Sequence, residues 1–121
     1  MKLQPDRFDV QAISGYGPGW VGVGTDRITH SVILSSRGDR IEWPVRTFDE
    51  LGPDHFAQLA ELPAEVVIFG SGDRIRFPRG AWLKPLVARG VGLETMDTAA
   101  ACRTYNILLG EGRNVVAALI L

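Results

Sequence analysis

Val66-Val67-Ile68-Phe69-Gly70-Ser71-Gly72 reads as a strand followed at once by a glycine-based reversal. Four large apolar residues in a row, with no polar alternation, suit a strand covered on both faces. Working outward, Ala81 to Arg89 has helical spacing, with Leu83, Leu86 and Val87 on one face and Gly90 as its stop. Val91 to Met96 is the next strand, and Asp97 is placed to N-cap a helix from Thr98 to about Leu109. Ala101, Tyr105 and Leu108 form that helix's buried stripe. Val115 to Leu121 is apolar and belongs well inside the sheet. Strand, helix, strand, helix, strand predicts parallel pairing between the first two of these strands.

The N-terminal half alternates in the manner of strands. Phe8 to Ser14 is a short candidate, Gly15-Tyr16-Gly17-Pro18-Gly19 a flexible break, and Trp20 to Thr25 a second strand. Ile28 to Ser35 and Arg40 to Trp43 make a hairpin across Arg37-Gly38-Asp39, where Gly38 can take the positive φ of a tight turn. Thr47 and Glu50 have capping-box spacing, and Pro53 suits the first turn of a helix reaching about Glu61, with Phe56, Leu59 and Ala60 inward. The expected fold is α/β, a three-layer single domain over residues 1–121. A mixed central sheet carries the helices, with a smaller antiparallel hairpin sheet beside it.

Composition narrows the function classes. The 121 residues suffice for one core, burying about two-thirds of the surface that the unfolded chain exposes. Thirteen basic and 14 acidic residues leave a net charge of −1, which provides no broad positive field for nucleic acid or an anionic bilayer. The single cysteine, Cys102, rules out an intramolecular disulfide. Met1 to Asp6 lacks a signal-peptide core, Asp6 and Asp9 argue against a transit peptide, and no apolar run could span a bilayer. A cytoplasmic location without direct membrane insertion is expected.

Gly17, Gly19 and Gly22 spell G-x-G-x-x-G, but a dinucleotide fingerprint must open a helix, and here alternating strand follows. A glycine-rich loop with a bulged strand is the better reading. Gly70, Ser71 and Gly72 differ because they follow a buried strand, and ligands of open α/β sheets bind beyond the carboxyl ends of strands. Asp97 and Thr98 occupy the matching end of the next strand, and the helix that starts there points its partly positive end at the same rim. The rim could hold a carboxylate or phosphate. Alternatively, Gly70 and Gly72 serve only the reversal, and Asp97 only the cap. Cys102, beside Arg103 and one turn before Asn106, reads either as a thiolate favoured by the helix end or, better, as a small buried apolar residue. His30 and Ser31 point to opposite faces and cannot pair as base and nucleophile, while His55 beside Asp54 reads as solvated. No spacing suggests a metal site, and no cofactor is expected. Arg37-Gly38-Asp39 is explained by the hairpin alone, and Trp20, Trp43 and Trp82 read as core and edge aromatics.

Gly70-Ser71-Gly72-Asp73-Arg74, Asp97-Thr98, Ala101-Cys102, Thr104-Tyr105-Asn106, Leu108, Glu111-Gly112-Arg113 and Ala118-Leu119-Ile120 together resemble the Mth-like domain family of unknown function. That family includes a mitochondrial respiratory complex I assembly factor and an adipogenesis-associated protein. The likeness spans most of the chain and is sharpest from Val66 onward. It implies a small α/β domain acting as a non-enzymatic binding or assembly factor, for a respiratory membrane complex, with protein partners. It also implies Gly70, Gly72, Asp97, Thr98 and Asn106 as site residues, with Cys102 and Arg103 beside them. The alternative is a binder of, or enzyme acting on, a small anionic ligand at Gly70–Gly72 and Asp97–Thr98, with Asp97 or Cys102 reactive. A homo-oligomeric structural module is a third reading.

Overall fold

The computed structural model describes residues 11–121. The expectations for Phe8 to Val10 and for the N-terminal Met1 to Asp6 and Asp9 lie outside the described residues. In chain order the strands are β1 (Ile13–Gly17), β2 (Trp20–Val23), β3 (Asp26–Ile28), β4 (Val32–Ser35), β5 (Arg40–Glu42), β6 (Val66–Gly70), β7 (Gly92–Met96) and β8 (Val115–Leu119). The helices are α1 (Pro53–Ala60), α2 (Lys84–Ala88) and α3 (Thr98–Gly110), with 3-10 turns at Phe48–Glu50 and Gly80–Leu83.

The central sheet has the order β5-β4-β8-β6-β7, and β1, β2 and β3 form a separate antiparallel sheet. Strand β6 pairs in parallel with both β7 and β8, while β4 pairs antiparallel with β5 and β8. The C-terminal strand therefore lies at the centre of the sheet, which is why it is uniformly apolar. From β6 the chain steps outward to β7 and then back past β6 to β8. Right-handed crossovers require the two connecting helices to lie on opposite faces when the direction reverses. That is the arrangement found. On one face α3 and the three-stranded sheet share a core with Leu34, Ile68, Ala117 and Leu119. On the other, α1 and Leu86 of α2 pack with Trp43, Ile33, Phe69 and Ala118. Three layers result, as the sequence predicts.

Large and small residues alternate across the middle of the sheet. Ala117 is flanked in register by Leu34 and Ile68, and Ala118 by Ile33 and Phe69; all six are fully buried. Small side chains at the centre of both faces leave room for their neighbours and for the helices above them.

Several local expectations shift. Gly15–Gly17 is strand, and only Pro18-Gly19 turns, with Gly19 at φ 78°. The glycines are there because the Trp20 indole lies against the strand: a Cβ on Gly17 would sit 2.5 Å from Trp20 Nε1. The strand expected over Ile28 to Ser35 is two strands in different sheets, and Thr25 and Trp43 fall outside strands. Residues 29–31 carry the chain between sheets, with Trp43 N–H donating to Ser31 O at 2.9 Å and Leu121 N–H to Ser31 Oγ at 3.1 Å. Thr47 precedes only the 3-10 turn Phe48–Glu50, and its side chain makes no cap hydrogen bond. Glu50 instead accepts from Arg46 N–H at 2.8 Å, and the helix starts afresh at Pro53. His55 is not a free solvated side chain; its Nδ1 accepts from Gly52 N–H at 3.0 Å and its ring meets Trp43 edge-on. Val87 is 72% exposed, and Leu109 rather than Leu108 completes the buried stripe of α3.

Overpacking the centre of the sheet tests this arrangement. Ala117→Leu should lower the unfolding free energy by about 1–3 kcal/mol, read from urea denaturation.

Candidate functional site

Connections leaving adjacent parallel strands to opposite faces create a crevice at their carboxyl ends. Here the strands are β6 and β7, whose connections lead to α2 and α3 respectively. The reversal after β6 and the start of α3 consequently lie side by side. Gly72 N–H donates to Thr98 Oγ1 at 2.8 Å, and Thr98 N–H returns a bond to Gly72 O at 2.8 Å. Thr98 Oγ1 also donates to Ile120 O at 2.7 Å, while Ile120 N–H donates to Gly70 O at 3.0 Å. Three chain segments are locked around one hydroxyl.

Each glycine has a distinct reason. A Cβ on Gly70 would lie 3.0 Å from the Cα and Oγ1 of Thr98 and from Leu119 Cδ2, so a side chain there would crowd the junction. Gly72 has φ 109°, a conformation that L residues rarely adopt. Between them Ser71, 3% exposed, shapes the following loop: its Oγ donates to Arg74 O at 2.7 Å and accepts from Arg76 N–H at 3.0 Å. Asp97 caps α3 as expected, Oδ1 accepting from Ala100 N–H at 2.9 Å. The peptide donors of Gly72, Thr98 and Ala100 are thus engaged within the protein.

Beside this junction opens a cleft of about 660 Å³. Ser71, Gly72, Asp97 and Thr98 lie along it, whereas Gly70 is buried behind it. Cys102, Arg103 and Asn106, grouped with the rim from sequence, do not line it. Helical periodicity explains their absence, since α3 turns these positions elsewhere. Cys102 is fully buried, and burial pushes its thiol up to about 12, with the Arg103 charge opposing only in part. Asn106 clamps β1, with Oδ1 accepting from Ile13 N–H at 2.9 Å and Nδ2 donating to Ile13 O at 2.8 Å. Arg103 Nη1 donates to Tyr16 Oη at 2.8 Å, tying α3 to the hairpin that forms one wall.

Sequence reasoning missed most of that lining. Tyr16 and Trp20 come from the small sheet, Arg46 and Phe48 from the segment after β5, and Arg74 and Arg76 from the loop beyond β6. Arg76 is held by Asp49 at 2.8 Å and lies 4.3 Å from the Phe48 ring centroid. Arg46 pairs with Glu50, whose carboxyl is held below its usual range first by the Arg46 backbone N–H. Arg74 has no acidic partner among the described residues. The alternation Arg74-Ile75-Arg76-Phe77 was the available signal. The cleft joins aromatic and guanidinium surface and brings no nucleophile to a base.

Comparison with known proteins agrees with the fold. Residues 13–120 match the family described as "Protein of unknown function (DUF498/DUF598)". The chain is 37% identical over 82 residues to NADH dehydrogenase [ubiquinone] 1 alpha subcomplex assembly factor 3 of Homo sapiens, a match covering 66% of this chain and 45% of that protein. The chain therefore spans less than half the length of that relative. A crystal structure from Bordetella parapertussis superposes with TM-score 0.86 at 38% identity, covering 92% of this chain and 95% of the other. The solution structure of a Bordetella pertussis protein described as a Mth938-like domain gives 0.80 at 33% identity, covering 99% and 92%.

Gly70→Ala should lower stability by about 1–3 kcal/mol, seen as a shift of the urea midpoint, because a methyl group must displace Thr98 backbone. The buried thiol carries a pH signature. The unfolded chain ionises Cys102 near its ordinary value of 9.0 and the folded chain only near 12, so this contribution is fully present below pH 9 and is lost as pH rises between them. Cys102→Ala should remove up to about 1.4 kcal/mol per pH unit of that slope, checked by denaturation across the alkaline range.

Proposed function

The chain belongs to the DUF498/DUF598 family of proteins of unknown function, and from that premise we propose that it is a protein-binding assembly factor for a respiratory membrane complex. On this reading residues 1–121 work as one domain, from the cytoplasm and beside the membrane. Among the described residues no helix is long and apolar enough to cross a bilayer. The assembly-factor relative motivates the choice of complex, through a match over two-thirds of this chain.

One observation carries the reading. At the crevice where an α/β enzyme of this layout presents reactive groups, the Gly72 and Thr98 peptide donors and the Thr98 hydroxyl bond to each other and to Ile120. What faces solvent is Tyr16, Trp20, Phe48 and arginine, side-chain types that dominate the energetics of protein contacts. The buried thiol and the cap carboxylate have structural work that accounts for them.

A second reading rests on the cleft itself, whose volume falls in the range of small-molecule sites and whose Arg46 and Arg74 would attract an anion. Thermal-shift measurements with phosphate and carboxylate metabolites separate the two. Stabilisation lost in Arg74→Ala would favour a ligand, since binding to the folded state raises stability by mass action. A flat response across the panel would leave only the protein-binding reading.

Deleting the gene in its native host should lower the amount of assembled NADH dehydrogenase several-fold on native gels, with recovery when the full chain is restored. Unchanged amounts of the complex would overturn the assignment.

A further inference from the structure

Residues 70–89 carry Arg74, Arg76, Arg79, Lys84 and Arg89 against one acid, Asp73. That is five positive charges and one negative, or +4; with the whole chain at −1, the remaining residues sum to −5. This stretch is therefore basic within an otherwise acidic sequence. It also exposes apolar side chains. Ile75 is 50% exposed and Phe77 70% exposed, and both lie between arginines in the loop after β6.

A slack loop could fold such side chains inward and remove their apolar surface from water. This loop is not slack. The buried Ser71 hydroxyl ties Arg74 O and Arg76 N–H, and Arg76 is pinned between Asp49 and the Phe48 ring. The Arg79 guanidinium lies 5.8 Å from the Trp82 ring centroid. With the backbone held in this way, Ile75 and Phe77 are presented to water, while Arg74 and Arg79 have no ion-pair partner among the described residues. Preorganised apolar anchors lower the ordering cost of binding, and arginine is enriched among binding hot spots.

We propose that the loop over residues 71–79 and the segment leading into α2 form a docking surface for an acidic, apolar segment of a partner protein. Ile75 and Phe77 insert among its apolar side chains, and Arg74 and Arg79 pair with its carboxylates. The inference rests on the reading of this chain as a protein-binding factor. A short segment fits the charge distribution better than an extended polyanion does. Screening confines a local contact to roughly 10 Å, whereas an extended polyanion would also span parts of a chain whose other residues sum to −5. Four of the five basic side chains are arginine, whose planar fork matches a carboxylate in a bidentate way.

Fluorescence polarisation of the full chain tests this, with a labelled peptide alternating glutamate with leucine and phenylalanine as the probe. The peptide should bind, more weakly as salt is raised. Ile75→Ala with Phe77→Ala, and separately Arg74→Glu with Arg79→Glu, should each weaken binding by at least about tenfold without moving the melting temperature. No peptide binding, equal binding by the variants, or tighter binding to phosphatidylglycerol vesicles or single-stranded DNA would overturn the proposal. Full rescue of the deletion strain by Arg74→Glu with Arg79→Glu would also remove the docking surface and leave the assembly role standing. A deletion strain with normal complex would remove the assembly role, and the titration would still judge the surface.

Discussion

The Thr98 hydroxyl accepts a hydrogen bond from Gly72 N–H and donates one to Ile120 O, and so joins the end of β6, the start of α3 and the end of β8 at one oxygen. The absence of a side chain on Gly70 leaves room for this contact, since a Cβ there would meet Thr98 at 3.0 Å. Once these segments are joined, the rest of the rim follows. Gly72 must reverse the chain with positive φ, Ser71 must turn inward to shape the next loop, and α3 must leave over the opposite face from α2. The glycines and the threonine are thus one packing solution, which also engages the Gly72, Thr98 and Ala100 peptide donors within the protein.

This division of labour separates two surfaces. The junction is closed and structural, and the open cleft beside it borrows its walls from three distant stretches of chain. The small sheet reaches the cleft because α3 holds it, through Asn106 on Ile13 and Arg103 on Tyr16. On the protein-binding reading proposed above, this cleft is the contact surface. Its groups are aromatic rings and guanidinium forks, which supply area and orientation without chemistry of their own.

Much of the architecture was legible in the residues. Val66-Val67-Ile68-Phe69 could only be covered on both faces, and the alternation of strands and helices after it implied parallel pairing, which β6 and β7 show. Asp97 was readable as a cap because a short acceptor before an apolar helix has few other uses. The burial of Cys102 was the better of two readings, and the thiol lies fully inside. Errors clustered where partners decide. Ile28 to Ser35 alternates like one strand, yet its halves pair with β2 and with β8, a choice that local pattern does not encode. Thr47 and Glu50 have the spacing of a capping box, but the Arg46 N–H claims the carboxylate first.

By itself, then, the sequence determined the layer order, the buried strands and the place where two strand ends meet, because periodicity and uninterrupted apolar runs are local consequences of which faces exclude water. Which side chains line the cleft was set by packing between elements. Tyr16, Arg46 and Arg74 lie far apart in the chain, and α3 turns Cys102, Arg103 and Asn106 away from the rim that their sequence neighbours form. Spacing along the chain specifies direction within an element, whereas a site between elements depends on how they pack, a long-range result of burying both faces of one sheet at once.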